Sequence, residues 1–429
     1  MGLEKSFLKG ELMKKLLLAV AVLFVGVQCF TQNQSSKFDF SPDDLESVAD
    51  FSKMCPQDLF KDPNIHEEDL RSCDLSKYDL SNLPRSFLEK LTFDDKTIWP
   101  KKMPEWLDIH KIYQISKTPG LHIKDLHKQG ITGRGVNIAI IDKNLGPHQE
   151  YNQNIIFYKN FEKANSKADM HGAAVASIAV GKSIGVAPGA KVYYVGANFS
   201  QYYKEKGPFN ARIYTEPIEY LLELNKTLPE KDKIFVIAMS RGFNETNYGR
   251  ENFLKALDKA KKQGILVLST NNVAGINRRD YYVNPQNRDS FVYAPVWDNT
   301  LFATTFKNTL AVPNDYRVVA SPTGEKDYVA YADGGLSWAV PYLAGIAALA
   351  KQVKPDLTPD EFLEVAFKTA QRVLVKTKDG KKTAMIDTFV NPQALIKDLQ
   401  NRKTTHREEK ENIESLEKGL KNIQEKQKR

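Results

Sequence analysis

Val136-Asn137-Ile138-Ala139-Ile140-Ile141 is a short, mostly apolar run followed at once by a carboxylate, Asp142. Its branched residues and lack of polar alternation read as a strand buried on both faces. Three more runs share that character: Lys191 to Gly196, Ile234 to Met239 and Ile265 to Ser269. Helical patterns lie between them, over His171 to Val180, Arg212 to Asn225 and Asn252 to Gln263. Strands alternating with helices predict an α/β fold whose mostly parallel sheet is wrapped by helices. A carboxylate at the C-terminal end of such a strand lies where open α/β sheets gather functional groups. An Asp that merely caps a turn would look the same.

Downstream, Ser337 to Val353 is a long apolar segment that predicts a central buried helix. Thr358-Pro359-Asp360-Glu361 is a capping box that opens another, and Lys378-Asp379-Gly380 marks a hairpin inside Val373 to Asp387. Upstream, residues 30 to about 105 are acidic and helix-leaning, as in Ser41-Pro42-Asp43-Asp44-Leu45-Glu46, and little there reads as strand. In the last 29 residues Ile413, Leu416, Leu420 and Ile423 line one side of a charged helix, too short a pattern for a coiled coil. We find no internal repeat.

The totals exclude some functions. The chain has 429 residues, 41% hydrophobic and 27% charged, which is ordinary globular composition. Of the formal net charge of +8, residues 1–29 carry +2 and residues 401–429 carry +3. The +3 left for the body is too little for an electrostatic footprint on nucleic acid. Met13-Lys14-Lys15 followed by the apolar run Leu16 to Val27 predicts a signal peptide cut near Cys29; it is short of the ~20 residues a membrane span needs. Export follows, with membrane attachment only if Cys29 is lipidated. If Cys29 leaves, Cys55 and Cys73 remain to pair in an oxidising compartment. No Cys-x-x-Cys or His-Glu-x-x-His spacing occurs, so no metal site is expected. The expected organisation is a signal peptide at 1–29, a helix-leaning extension at 30–119, a catalytic domain at 120–400 and a charged helical tail at 401–429.

Two further segments carry reactive residues. His171-Gly172-Ala173-Ala174-Val175-Ala176-Ser177-Ile178-Ala179 sets a histidine before a helix of small residues, which can approach its neighbours closely. Gly335-Leu336-Ser337-Trp338-Ala339-Val340-Pro341 sets a serine at a helix start, where the dipole and free backbone donors favour developing negative charge. Singly, these could be a structural histidine and an N-cap serine. In the order Asp142, His171, Ser337, with separations of 29 and 166 residues, they resemble the subtilisin-like serine peptidases, the subtilases. Further landmarks follow in register: Gly185-Val186-Ala187-Pro188, then Met239-Ser240-Arg241-Gly242, then Leu266-Val267-Leu268-Ser269-Thr270-Asn271-Asn272, and finally Asn391-Pro392-Gln393-Ala394-Leu395.

The resemblance implies a subtilisin-like three-layer domain and peptide-bond hydrolysis through an acyl-enzyme. Asp142, His171 and Ser337 would be the catalytic triad, Asn272 the oxyanion donor, and Ser240, Arg241 and Gly242 the strand that takes a protein or peptide substrate. No cofactor is required; structural calcium occurs in such enzymes, and no local acidic cluster marks a site for it here. The sequence departs from the family pattern at Lys143 and Asn144 after the aspartate, at Ala173 after His-Gly, and at Leu336 before the serine. Asn144 stands where the family has Gly, and Asn tolerates the left-handed backbone such a turn uses. The rival readings are a catalytically impaired subtilase-fold scaffold, and an esterase, for which the required Gly-x-Ser-x-Gly is missing.

Overall fold

The computed structural model describes residues 60, 68–88, 90–161, 168–197, 210–276, 294–296, 309–332, 334–377 and 383–402. The chain divides into Met1–Asp39 and Phe40–Arg429, and every described residue belongs to the second unit. The expected signal peptide, Cys29, Cys55, the hairpin tip at residues 378–380 and the charged tail beyond residue 402 lie outside the described residues. Cys73 is engaged in a disulfide.

In chain order the elements are β1 (Glu68–Asp69), α1 (Arg85–Leu88), β2 (Leu91–Asp94), α2 (Ile109–Ser116), α3 (Ile123–Lys128), β3 (Asn137–Asp142), β4 (Ile155–Asn160), α4 (Met170–Val180), β5 (Lys191–Gly196) and α5 (Arg212–Thr227). There follow β6 (Ile234–Met239), α6 (Arg250–Lys262), β7 (Leu266–Ser269), β8 (Val273–Ile276), β9 (Ala294–Val296), β10 (Leu310–Pro313), β11 (Arg317–Ala320) and β12 (Tyr328–Tyr331). The last are α7 (Gly335–Val353), α8 (Pro359–Lys368), β13 (Gln371–Thr377) and β14 (Thr383–Phe389).

The central sheet is parallel throughout, in the order β4-β5-β3-β6-β7. Every residue of β3 and β6 is buried, which accounts for the apolar runs Ile138–Ile141 and Ile234–Met239 within them. A second sheet runs β8-β10-β14-β13-β9, with β13 and β14 antiparallel as the hairpin signal predicts. Helices cover the central sheet. One apolar cluster joins Ile141, Val195, Ile237 and Met239 to Ile218 and Leu222 of α5 and to Phe253 and Ala256 of α6. Across α4 every residue from Gly172 to Val180 is buried, and across α7 every residue from Trp338 to Ala350. Small side chains make this possible: a Cβ on Gly345 would lie 2.6 Å from Val186 Cβ. Thr358 caps α8 as the capping box predicts, its Oγ1 accepting from Glu361 N at 3.2 Å.

In the stretch read as helix-leaning, the described residues carry strand as well as helix. Residues 68–116 hold two strands, and β2 pairs antiparallel with β12 in a third sheet, ordered β1-β2-β12-β11. They also contain a repeat that the sequence reading missed. Asp69-Leu70, Asp74-Leu75 and Asp79-Leu80 recur every five residues, and each leucine is fully buried. In each unit the aspartate Oδ1 accepts from the backbone N–H two residues on, of Arg71, Ser76 and Ser81. Leu70, Leu75 and Leu80 then donate their N–H groups to the carbonyls of Thr92, Ile98 and Lys102. The result is a ladder of tight turns against a parallel return segment. Each fully buried leucine contributes ~1.5–3 kcal/mol. The cluster beneath mixes Leu70, Phe87 and Phe93 with Tyr316, Val318 and Ala330.

Candidate active site

Asp142 ends β3, and its side chain is 3% exposed. One carboxylate oxygen, Oδ1, accepts from Lys143 N at 2.8 Å and bonds His171 Nδ1 at 2.5 Å. The histidine is the second residue of α4, whose N-cap is Asp169; Asp169 Oδ1 accepts from His171 N at 2.8 Å. Asp169 Oδ2 in turn pairs with Lys143 Nζ at 2.9 Å. The loop after Asp142 is thereby tied to the cap of the histidine helix by a lysine that the family pattern lacks. Close approach of the two depends on Gly172, where a Cβ would lie 2.4 Å from Lys143 O and 2.6 Å from Tyr194 Oη. Asn144 does not adopt the left-handed backbone expected of it. Its Oδ1 instead accepts from Tyr158 Oη at 2.8 Å, over Gly196, where a Cβ would come within 2.2 Å of it.

The His171 side chain is about a quarter exposed (24%). Burial disfavours its charged form, but the charge and hydrogen bond of Asp142 outweigh that, with Asp169 adding to them and Lys143 opposing. The net effect raises its pKa above the ordinary imidazole value.

Ser337 is the third residue of α7, which begins at Gly335 behind an N-cap at Gly334, and not the first as its sequence suggests. Backbone N–H groups in that first turn have no carbonyl one turn earlier to bond. Ser240 Oγ donates to Ser337 O at 3.1 Å, joining the end of β6 to the start of α7. Arg241 and Gly242 continue from Ser240, all three half-buried, and Arg241 N donates to Met239 O at 2.7 Å. Among the described residues no hydrogen bond joins Ser337 to His171; such bonds often close only when substrate is bound. The neighbouring Trp338 does meet the histidine, with ring centroids 5.5 Å apart and planes at 30°. Its indole folds over the backbone of Gly334, where a Cβ would lie 1.4 Å from Trp338 Cδ1. Leu336 is 46% exposed and Ala173 fully buried, so the two departures flanking the site differ in reach.

Asn272 uses both ends of its amide on its own turn: Oδ1 accepts from Ser269 N at 2.8 Å and Nδ2 donates to Val267 O at 2.9 Å. Asn271, which the sequence reading passed over, bridges to Phe243, its Oδ1 accepting from Phe243 N at 2.8 Å and its Nδ2 donating to Phe243 O at 3.2 Å. The absent side chain of Gly242 leaves room for that amide, since a Cβ there would lie 2.5 Å from Asn271 Oδ1. Among the described residues no group of three or more His, Cys, Asp and Glu could hold a metal ion. A cavity of about 1340 Å³ opens at the opposite end of the sheet, beside Asn137 and Ile234. Its half-buried lysines serve the framework: Lys233 Nζ donates to Asn225 O and Lys351 Nζ to Leu357 O.

The chain is similar to several known proteins. Serine protease AprX of Bacillus subtilis (strain 168) is 25% identical over 316 residues, 61% of this chain and 70% of that protein. The PatG macrocyclase in complex with peptide superposes with a TM-score of 0.46 at 18% identity, covering 65% of this chain and 95% of that one. For MycP1, a serine protease of the type VII (ESX-1) secretion system, the values are 0.43 and 17%, over 64% of this chain and 86% of that one. A family model described as the subtilase family matches residues 133–401, and the chain belongs to that family of serine peptidases.

Proposed function

We propose that the chain is an exported serine endopeptidase that hydrolyses peptide bonds through an acyl-enzyme, with Asp142, His171 and Ser337 as its triad. The observation that carries this reading is the bond from His171 Nδ1 to a nearly inaccessible Asp142 carboxylate, which leaves Nε2 as the nitrogen available to a substrate-side proton. In the reaction Ser337 Oγ attacks the carbonyl, His171 takes the serine proton and delivers it to the leaving amine, and Asp142 holds the imidazole and offsets its charge. The Ser337 backbone N–H and the Asn272 amide bind the oxyanion; the bond to Val267 O uses one of the two N–H groups of Asn272 Nδ2 and leaves the other for this role. Substrate lies extended along Ser240-Arg241-Gly242 as an added strand. No cofactor takes part. Export rests on the basic start and apolar run from Met13 to Val27.

The test is covalent labelling with a serine-directed phosphonate, located by mass spectrometry. Label is expected on Ser337, with labelling and casein hydrolysis both lost in Ser337→Ala while the fold persists. An Ala variant that cleaves casein at the wild-type rate would falsify the assignment.

A further inference from the structure

A single hydrogen bond at Nδ1 sets the direction of an imidazole but leaves it free to turn about that bond. The plane of His171 is held by something else, its stack on Trp338. Trp338 is in turn walled by Tyr331, with centroids 5.9 Å apart. Tyr331 is then fixed from outside the segment that the family model matches. Arg71 Nη1 donates to Tyr331 Oη at 2.9 Å, and the guanidinium carbon lies 5.5 Å from the centre of that ring. Arg71 cannot wander, because Asp69 grips it as a fork, Nε to Oδ1 at 2.8 Å and Nη2 to Oδ2 at 2.5 Å. The arginine side chain is 12% exposed.

The segment that carries Arg71 is built into the domain. Ladder bonds join Phe93 and Asp94 of β2 to Ala330 and Val329 of β12. Lys96 pairs with Asp327, and Leu70, Phe87 and Phe93 share one core with Tyr316, Val318 and Ala330. Taking the segment away would bare one edge of β12 and that apolar face together, a combination folded proteins avoid.

We propose that residues 68–116 stay in the working enzyme and that Arg71 is a positioning residue for His171, acting through Tyr331 and Trp338. The proposal rests on the triad reading above. It makes this N-terminal segment a fixed support of the active site and not a pro-region that is shed.

Two measurements test it. Intact mass of the phosphonate-labelled wild-type protein should show chains that begin before Glu68; labelled chains that begin after Ser116 would overturn the proposal. Arg71→Met should lower kcat by roughly 10–100-fold, the scale of an ångström-sized misplacement of a catalytic group. KM should stay within about twofold, because the contacts along Ser240-Arg241-Gly242 are untouched, and Arg71→Lys should recover part of the loss. If Arg71→Met does not fold, Tyr331→Phe removes only the hydroxyl and should lower kcat in the same sense. Wild-type kcat in a folded Arg71→Met or in Tyr331→Phe, or a loss confined to KM, refutes the positioning role. Failure of the triad reading is seen separately, as a wild-type protein that takes no label. In that event positioning falls with it, and the mass of the folded, trypsin-resistant chain still decides whether residues 68–116 are kept.

Discussion

Gly172 offers the sharpest handle on the site, although it carries no reactive group. In Gly172→Ala the new methyl would sit 2.4 Å from Lys143 O, 2.6 Å from Tyr194 Oη and 2.8 Å from Asn144 O. Two of these three are backbone oxygens of the loop after Asp142, which is fixed by β3, and the third is the hydroxyl of a buried tyrosine. Ordinary contact begins near 3.4 Å, so the start of α4 must retreat by about 1 Å. The bond from His171 to Asp142, now 2.5 Å, then opens to about 3.5 Å, beyond useful hydrogen-bond range. Overpacking of this kind costs roughly 1–3 kcal/mol in stability, and a domain of this size loses about 2–4 °C of Tm per kcal/mol. The larger effect falls on catalysis, where an ångström of misplacement is worth about 10²-fold. Steady-state kinetics on a casein-derived peptide, paired with a thermal melt, measures both. A variant with wild-type kcat would refute the reasoning, since it would show that the His171–Asp142 contact survives the displacement or that the reaction does not need it.

Asn272→Ala should reduce kcat by about 10²–10³ with KM little changed, a magnitude the subtilisin precedent supplies; an unchanged kcat in Asn272→Ala beside a loss in Asn271→Ala would move the oxyanion role one residue back. The acid limb of the kcat/KM profile should have its midpoint above the ordinary histidine value near 6.5, because Asp142 holds the proton on His171. The same raised pKa makes the pair's contribution to stability fully present below the unfolded-state value and lost as pH rises through the folded one. Melting temperature compared between wild type and His171→Gln should therefore converge on the alkaline side of that midpoint. Arg241 brings a permanent charge to the end of β6, so a peptide library should show a preference for Asp or Glu near the scissile bond that Arg241→Leu abolishes. A flat profile, unchanged by the substitution, would assign Arg241 to the solvated surface.

The parts of the fold that could be read in advance were those where a single periodicity dominates. β5 and β6 match their predicted limits residue for residue, and β3 is displaced by one from Val136 to Ile141, because the interiors of strands buried on both faces are unbroken apolar runs. The helices α4 and α7 announced themselves by unbroken runs of small or apolar residues. The ladder at residues 69–83 escaped because only two residues in each five are constrained, and a period of five matches neither a strand nor a helix. Leu70, Leu75 and Leu80 looked like scattered apolar residues in an acidic stretch. The coupling of Lys143 to Asp169 was hidden for another reason: it joins residues 26 apart that nothing in their own neighbourhoods links. Asn144 was misjudged because its side chain, and not its backbone, does the work.

The five-residue ladder also constrains how this region can change in length. Loss of a single residue inside it would put every later leucine out of phase, turning each from the core towards water. Loss of a whole pentad keeps the phase but strands one rung of the return segment, since the bridges at Asp74–Ile98 and Asp79–Lys102 have fixed mates. Lineages of this protein should therefore gain or lose material here in matched pairs, one unit on each side, or not at all.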